Sequence, residues 1–283
     1  MNETALKERI KVVAKEKGIK FNEAWKQLLL ERFLARLSKS DYQDKFIFKG
    51  GLLLTQYLSI GRETMDADFL VTKIKSEAPV IEDAMKEIAV VDIQDGFLFT
   101  WSSIQVLDQP HMDYPGFRLR FEVNFGNMRD KIQIDLGVGD LVNPLKNNFE
   151  PFQYKGKPIF EGEISLYVYP VETIFAEKLE TIILKNTFNS RMKDYHDVIL
   201  MTREPDLIKV EKLKSSIKST FEHRGTTLKF PIEFEAAKMG ALQKLWTNHL
   251  NGLGEFRSKL NLQEQMVDVL KELNGWLSAN GIY

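Results

Sequence analysis

The sequence predicts an α+β chain, with strands in its middle and helices at both ends. Two alternating stretches carry the sheet: Phe117, Leu119, Phe121 and Val123 share one face, as do Ile132, Ile134 and Leu136. Leu6, Ile10 and Val13, and then Trp25, Leu28, Leu29, Phe33 and Leu37, fall at helical spacing within residues 1–40. From about residue 206 only helical patterns recur, near 207–222, 233–248 and 262–278, separated at Gly225, Pro231 and Gly252. The expected division is a domain with the sheet and N-terminal helices, 1–205, and a C-terminal helical domain, 206–283.

Taken in order, Gly18 stops the first helix and Asn22 is the expected N-cap of the second. Phe46-Ile47-Phe48 reads as a short buried strand, followed by Gly50-Gly51 and an apolar helical segment, 52–58. A turn at Gly61 leads to a second strand bearing Asp66 and Asp68. A helix is expected at about 77–88, a strand at 97–101 and a loop at Asp108–Gly116. Residues 143–169 are punctuated by Pro, Gly and Asn, with a short strand near 164–169. Pro170 then opens a helix, 171–184, whose buried side holds Ile174, Phe175, Leu179 and Ile182. Lys178 shares that side, so it must meet an anion or snorkel to water.

Composition bounds the function. With 43% hydrophobic and 28% charged residues, the 283-residue chain is ordinary for a globular protein. No apolar run approaches the ~18 residues of a membrane span, and residues 1–20 lack a signal peptide's apolar region. Without cysteine, disulfides and zinc–thiolate sites are excluded, and a cytoplasmic location is expected. A net charge of −1 argues against a generally basic nucleic-acid binder. Basic excess is local: ten Lys or Arg against five Glu in 1–40, and six against two in 209–229. Either run is a candidate RNA face or an ordinary solvated helix surface.

The chemistry lies between Lys49 and Leu70. Paired glycines at a strand-to-helix junction expose backbone N–H groups that suit a phosphate. Asp66 and Asp68, two apart on a strand, project to the same side. Alone, a Gly-Gly marks a turn and an Asp-x-Asp marks a solvated strand end. Together they suggest divalent metal and phosphoryl chemistry.

The order Gly50-Gly51, fourteen residues, Asp66-x-Asp68-Phe69 resembles the nucleotidyltransferase signature of the polymerase-beta superfamily. The runs Glu31–Ser40, Phe48–Leu54 and Arg62-x-Thr64-x-Asp66-x-Asp68-Phe69 resemble the AbiEii/AbiGii toxins of abortive-infection toxin–antitoxin pairs, and the likeness extends to about Met201. The resemblance implies a polymerase-beta-like domain with a mixed sheet flanked by helices, and a C-terminal helical bundle. It implies NTP as substrate, Mg²⁺ as cofactor with two ions, and a cognate antitoxin, its direct contact left open. The metal ligands would be Asp66, Asp68 and, on the polar face of the 131–136 strand, Asp135, with Asp140 as a substitute. Lys49, Gly50, Gly51, Arg62, Thr64 and Lys178 would contact nucleotide. Lys178 would neutralise phosphate charge and Asp194, from Arg191-x-Lys193-Asp194-x-x-Asp197, would orient it. His196, beside Asp194, reads as a helix-surface residue. The acceptor implied is RNA, at the 3′ end of tRNA. The alternatives are a small-molecule or protein hydroxyl, or a nucleotide-binding module without turnover. The superfamily's usual Gly-Ser is Gly50-Gly51 here, which removes a hydroxyl from the phosphate site but keeps the backbone donors.

Overall fold

The structure, a computed structural model, describes residues 1–107 and 115–282. Most of the loop expected at 108–116 therefore lies outside the described residues. Two compact units emerge. One comprises Met1–Leu53 and Glu63–Tyr169, the other Leu54–Arg62 and Pro170–Tyr283. Pro170 thus opens the main segment of the second unit.

The first unit begins with α1 (Glu3–Lys17) and α2 (Phe21–Ser38). Gly18 adopts φ 67° and closes α1 through its N–H to Ala14 and Lys15 carbonyls, as a left-handed C-cap should. The second helix starts one residue before the expected cap: Lys20 takes the N-cap position and gives no side-chain bond. Then come β1 (Phe46–Lys49), α3 (Gly50–Leu54), β2 (Asp66–Val71), α4 (Ala78–Ala89), β3 (Leu98–Leu107), β4 (Gly116–Phe125) and β5 (Met128–Val138). β6 (Leu145–Phe149), the hairpin β7 (Gln153–Tyr154) with β8 (Lys157–Pro158), and β9 (Ile164–Val168) complete the unit.

Among the described residues seven strands form one mixed sheet in the order β3-β4-β5-β2-β1-β9-β6. β2 runs parallel to β5 and antiparallel to β1, and β1 runs parallel to β9. One face is the core. Phe33 of α2 packs at 6.0 Å from Phe99 and 5.5 Å from Phe121, and Phe48 lies 5.4 Å from Phe69. At the far end of α2, Arg36 forks onto Asp95 at 2.8 Å through both terminal nitrogens and donates to the Phe97 carbonyl. The bidentate pairing offsets the burial of these two charges.

Two sheet elements escaped the sequence reading. β6 lacks an alternating apolar face, and its place is set by backbone pairing with β9 at the sheet margin. The β7–β8 hairpin turns on Lys155 and Gly156, both at positive φ, the backbone that a two-residue hairpin demands. β3 also outruns its expected end, continuing past a register shift between Trp101 and Ser103.

The second unit holds α5 (Val171–Lys185), α6 (Met192–Arg203), α7 (Val210–His223), α8 (Met239–Gly252), α9 (Phe256–Leu260) and α10 (Met266–Ala279). α5 packs on α7, and α6 packs on α8 and α10. Phe175 of α5 meets the Trp276 ring at 5.7 Å. These contacts are why α5 and α6 group with the C-terminal helices and not with the sheet.

Candidate functional site

In the first unit the strand register assembles an acidic face. Asp68 pairs with Asp135 across the parallel β2–β5 ladder, and Asp66 pairs with Gln133. Register partners on neighbouring strands project to the same side, so all three expected acids share one face of the sheet. The opposite face takes Ala67, Phe69, Ile134 and Leu136 into the core. Lys49, on the other flank, pairs with Asp68 in the β1–β2 register and extends its ammonium to Asp140 at 3.2 Å. Asp140, the substitute third acid, is therefore partnered by a residue expected at the nucleotide.

Gly50 follows Lys49 with φ 78°, and a Cβ there would overlap Asp68 Oδ2 and lie 2.6 Å from its Cγ. The first glycine is thus required twice, by its left-handed backbone and by the carboxylate packed upon it. The helix it opens is shorter than the expected 52–58 segment, ending at Leu54. With five residues α3 contributes its own N–H groups and little macrodipole.

Arg118 is the residue the sequence motifs do not mark. On β4 it is the register partner of Asp135. Its Nε and Nη2 donate to the two carboxylate oxygens at 2.9 and 2.6 Å. That hydrogen bond raises the guanidinium pKa against desolvation, and the charges of Asp135, Asp66 and Asp68 act in the same direction. The signal was present in strand parity: Arg118 lies on the face opposite Phe117 and Leu119. Among the described residues no group of three carboxylate or imidazole side chains is gathered as a metal cluster.

The second unit gathers the remaining candidates into a buried ionic network. Lys178 on α5 holds Asp194 at 3.1 Å and Asp197 at 2.8 Å, both on α6. The sequence left Lys178 to snorkel or to meet an anion. The anions are internal carboxylates, and only 8% of the residue is exposed. Arg62 grips Asp197 bidentately at 2.9 and 2.7 Å, and Arg191 approaches Asp194 at 2.9 Å. Burial alone would push the Asp197 carboxyl up, yet Lys178 and Arg62 hold it well below the usual carboxylate range. Burial would likewise lower the Lys178 ammonium, and Asp197 and Asp194 lift it above its ordinary value. Thr64 of the first unit is also buried.

The reading of His196 as a helix-surface residue is overturned. It is fully buried, with Nε2 at 2.7 Å from the Ile60 carbonyl and Nδ1 at 2.9 Å from His249 Nε2. A carbonyl only accepts, so His196 carries its proton on Nε2 and accepts from His249. Burial pushes both imidazoles down to about 4. α6 is buried along almost its whole length, from Asp194 to Met201. The misreading followed from treating a helix between charged residues as amphipathic.

A mixed sheet flanked by helices, with a glycine turn seated against an Asp-x-Asp strand, is the frame that the resemblance to nucleotidyltransferases implies. The family comparison makes the class specific. Residues 32–270 match the AbiEii family, described as nucleotidyl transferase AbiEii toxin of type IV toxin–antitoxin systems. The chain belongs to that family and is a nucleotidyltransferase of it. Two solved structures from Helicobacter pylori are similar to the chain. JHP933 is 14% identical over 89% of this chain and 88% of its own, with a TM-score of 0.47. A second protein, proposed to be a nucleotidyltransferase, is 13% identical over 90% and 92%, with a TM-score of 0.46. No curated protein matches the chain in sequence.

Proposed function

We propose that this toxin transfers a nucleotide from a Mg²⁺-bound NTP to the 3′ end of tRNA. The carrying observation is the register Lys49–Asp68–Asp135 with Gly50 seated on Asp68. The donor set fits magnesium, which takes hard oxygen ligands and is commonly bound by one or two carboxylates plus substrate phosphates. Asp66 and Asp68 would supply the carboxylates, with Asp135 beside them in register. Bound there, the cation would offset charge on the reacting phosphate. The Gly50 and Gly51 amides would cradle the outer phosphates, with Lys49 and Thr64 as further contacts.

Arg62, Lys178 and Asp194 enter the proposal through the family likeness: Arg62 and Lys178 for phosphate charge, Asp194 for orienting Lys178. The 3.1 Å Lys178–Asp194 pair supports that orienting role. A cytoplasmic site of action and an antitoxin partner belong to the same reading, since type IV toxins act as members of pairs. No helix among the described residues is long and apolar enough to cross a membrane.

One observation favours a smaller acceptor: a net charge of −1 leaves any basic surface to local excesses such as 1–40 and 209–229. Incubating the protein with each labelled NTP, Mg²⁺ and total cell RNA, then locating the label, tests both readings. Label at tRNA 3′ ends confirms the proposal. Label confined to small molecules or protein sinks the tRNA acceptor.

A further inference from the structure

Arg118 presents two N–H groups in a rigid fork to both oxygens of Asp135. Those in-plane lone pairs are the ones a divalent cation would take from the same carboxylate. Asp135 is the register partner of Asp68 on one flank and of Arg118 on the other. The guanidinium therefore stands beside the acidic face as a fixed positive charge. It cannot leave by deprotonation at any working pH, so it must move aside. Its side chain is 34% exposed against 18% for Asp135, which leaves it a path into solvent.

We infer that Arg118 is a positioning residue that competes with the divalent cation for Asp135. Arginine-held, Asp135 is withheld from the metal. Arginine-released, Asp135 joins Asp66 and Asp68 on a face that the register has already aligned. The device offsets the charge of Asp135 while no cation is bound, at the expense of weaker cation binding. This inference rests on the metal reading of Asp66 and Asp68.

The test titrates Mn²⁺ into the full-length protein without nucleotide and follows free Mn²⁺ by electron paramagnetic resonance. Arg118→Gln is expected to bind Mn²⁺ roughly tenfold tighter than the parent, the scale set by removing one partly exposed charged pair. Arg118→Lys, which keeps the charge but loses the fork, should fall between them. Adding Asp135→Asn to Arg118→Gln should cancel the gain, a coupling that a merely structural arginine would not show. Affinity of Arg118→Gln at or below the parent's overturns the inference. Should that variant fail to fold, unchanged affinity in Arg118→Lys overturns it equally. Loss of Mn²⁺ binding in Asp68→Asn keeps the metal reading standing whatever Arg118 does. Absence of Mn²⁺ binding in parent and arginine variants alike overturns both.

Discussion

Gly50 and Lys178 show how much one position can carry. At Gly50 a methyl group meets Asp68 and the backbone sits at φ 78°, where an L-residue is strained by about 1–2 kcal/mol. Gly50→Ala is therefore expected to lower stability by about 1–3 kcal/mol in a urea melt. Nucleotide transfer should fall much further, because Asp68 must shift; full activity in the variant would remove the close approach from the site. Lys178 is the only lysine in contact with both Asp194 and Asp197 among the described ion pairs. Lys178→Met leaves two buried carboxylates with Arg62 and Arg191 alone, and breaking such a pair costs about 3–5 kcal/mol. A thermal melt indistinguishable from the parent's would show that the network tolerates the loss. The expected destabilisation means that lost toxicity in a lysine-truncated variant reports folding as well as the proposed phosphate contact. Folding must be measured beside it.

Between elements, the His196–His249 bond ties α6 to α8, and His196 also caps the Ile60 carbonyl. Both imidazoles are pushed from 6.5 to about 4, chiefly by burial. Between those values the unfolded chain binds protons that the native state refuses, so this contribution is lost as pH falls from 6.5 towards 4. Each such imidazole contributes a slope of about 1.4 kcal/mol per pH unit in that window. Glu31 in the first unit, raised to about 7 by burial, works in the opposite sense over much of the same range. The measurement is accordingly a difference: urea midpoints at pH 7 and pH 5 for the parent and for His249→Gln. The parent's midpoint should drop more steeply than the variant's. Parallel pH dependences would mean the pair does not titrate with unfolding.

At the scale of the whole molecule, an RNA acceptor needs a basic surface that the overall charge does not supply. Lys212, Lys214 and Lys218 lie on α7 within the 209–229 run. Lys214 is 3.1 Å from Glu211 and Lys218 is 4.0 Å from Glu222, so the helix offsets part of its own excess. Replacing all three lysines with Glu is expected to weaken RNA labelling and to flatten its salt dependence by about one unit of log–log slope per lost phosphate contact. Exchange of the bare nucleotide should be unaffected, since the residues proposed to hold nucleotide and metal, Gly50, Asp66 and Lys178 among them, remain. Unchanged RNA labelling in this triple variant and in a matching one in 1–40 would shift the acceptor to a small hydroxyl compound.

By itself the sequence determined what repeats over two to four residues. Alternation placed Ile132, Ile134 and Leu136 in the core with Asp135 on the other side, and Asp66 with Asp68 on one side of β2. Helical spacing marked the buried faces of α1, α2 and α5, and Gly18 announced its cap. These hold because strand pleat and helix turn bring near neighbours to one face whatever the rest of the chain does. Only the tertiary structure decided that Arg118 would grip Asp135, that Arg62 would reach Asp197 135 positions away, and that His196 would be buried. It also decided that β6 would join the sheet and that α5 and α6 would group with the C-terminal helices. Those outcomes depend on which strands become neighbours and in what register, and on which helices share an apolar face. Contacts between residues far apart in the chain settle them, and no local period encodes such contacts.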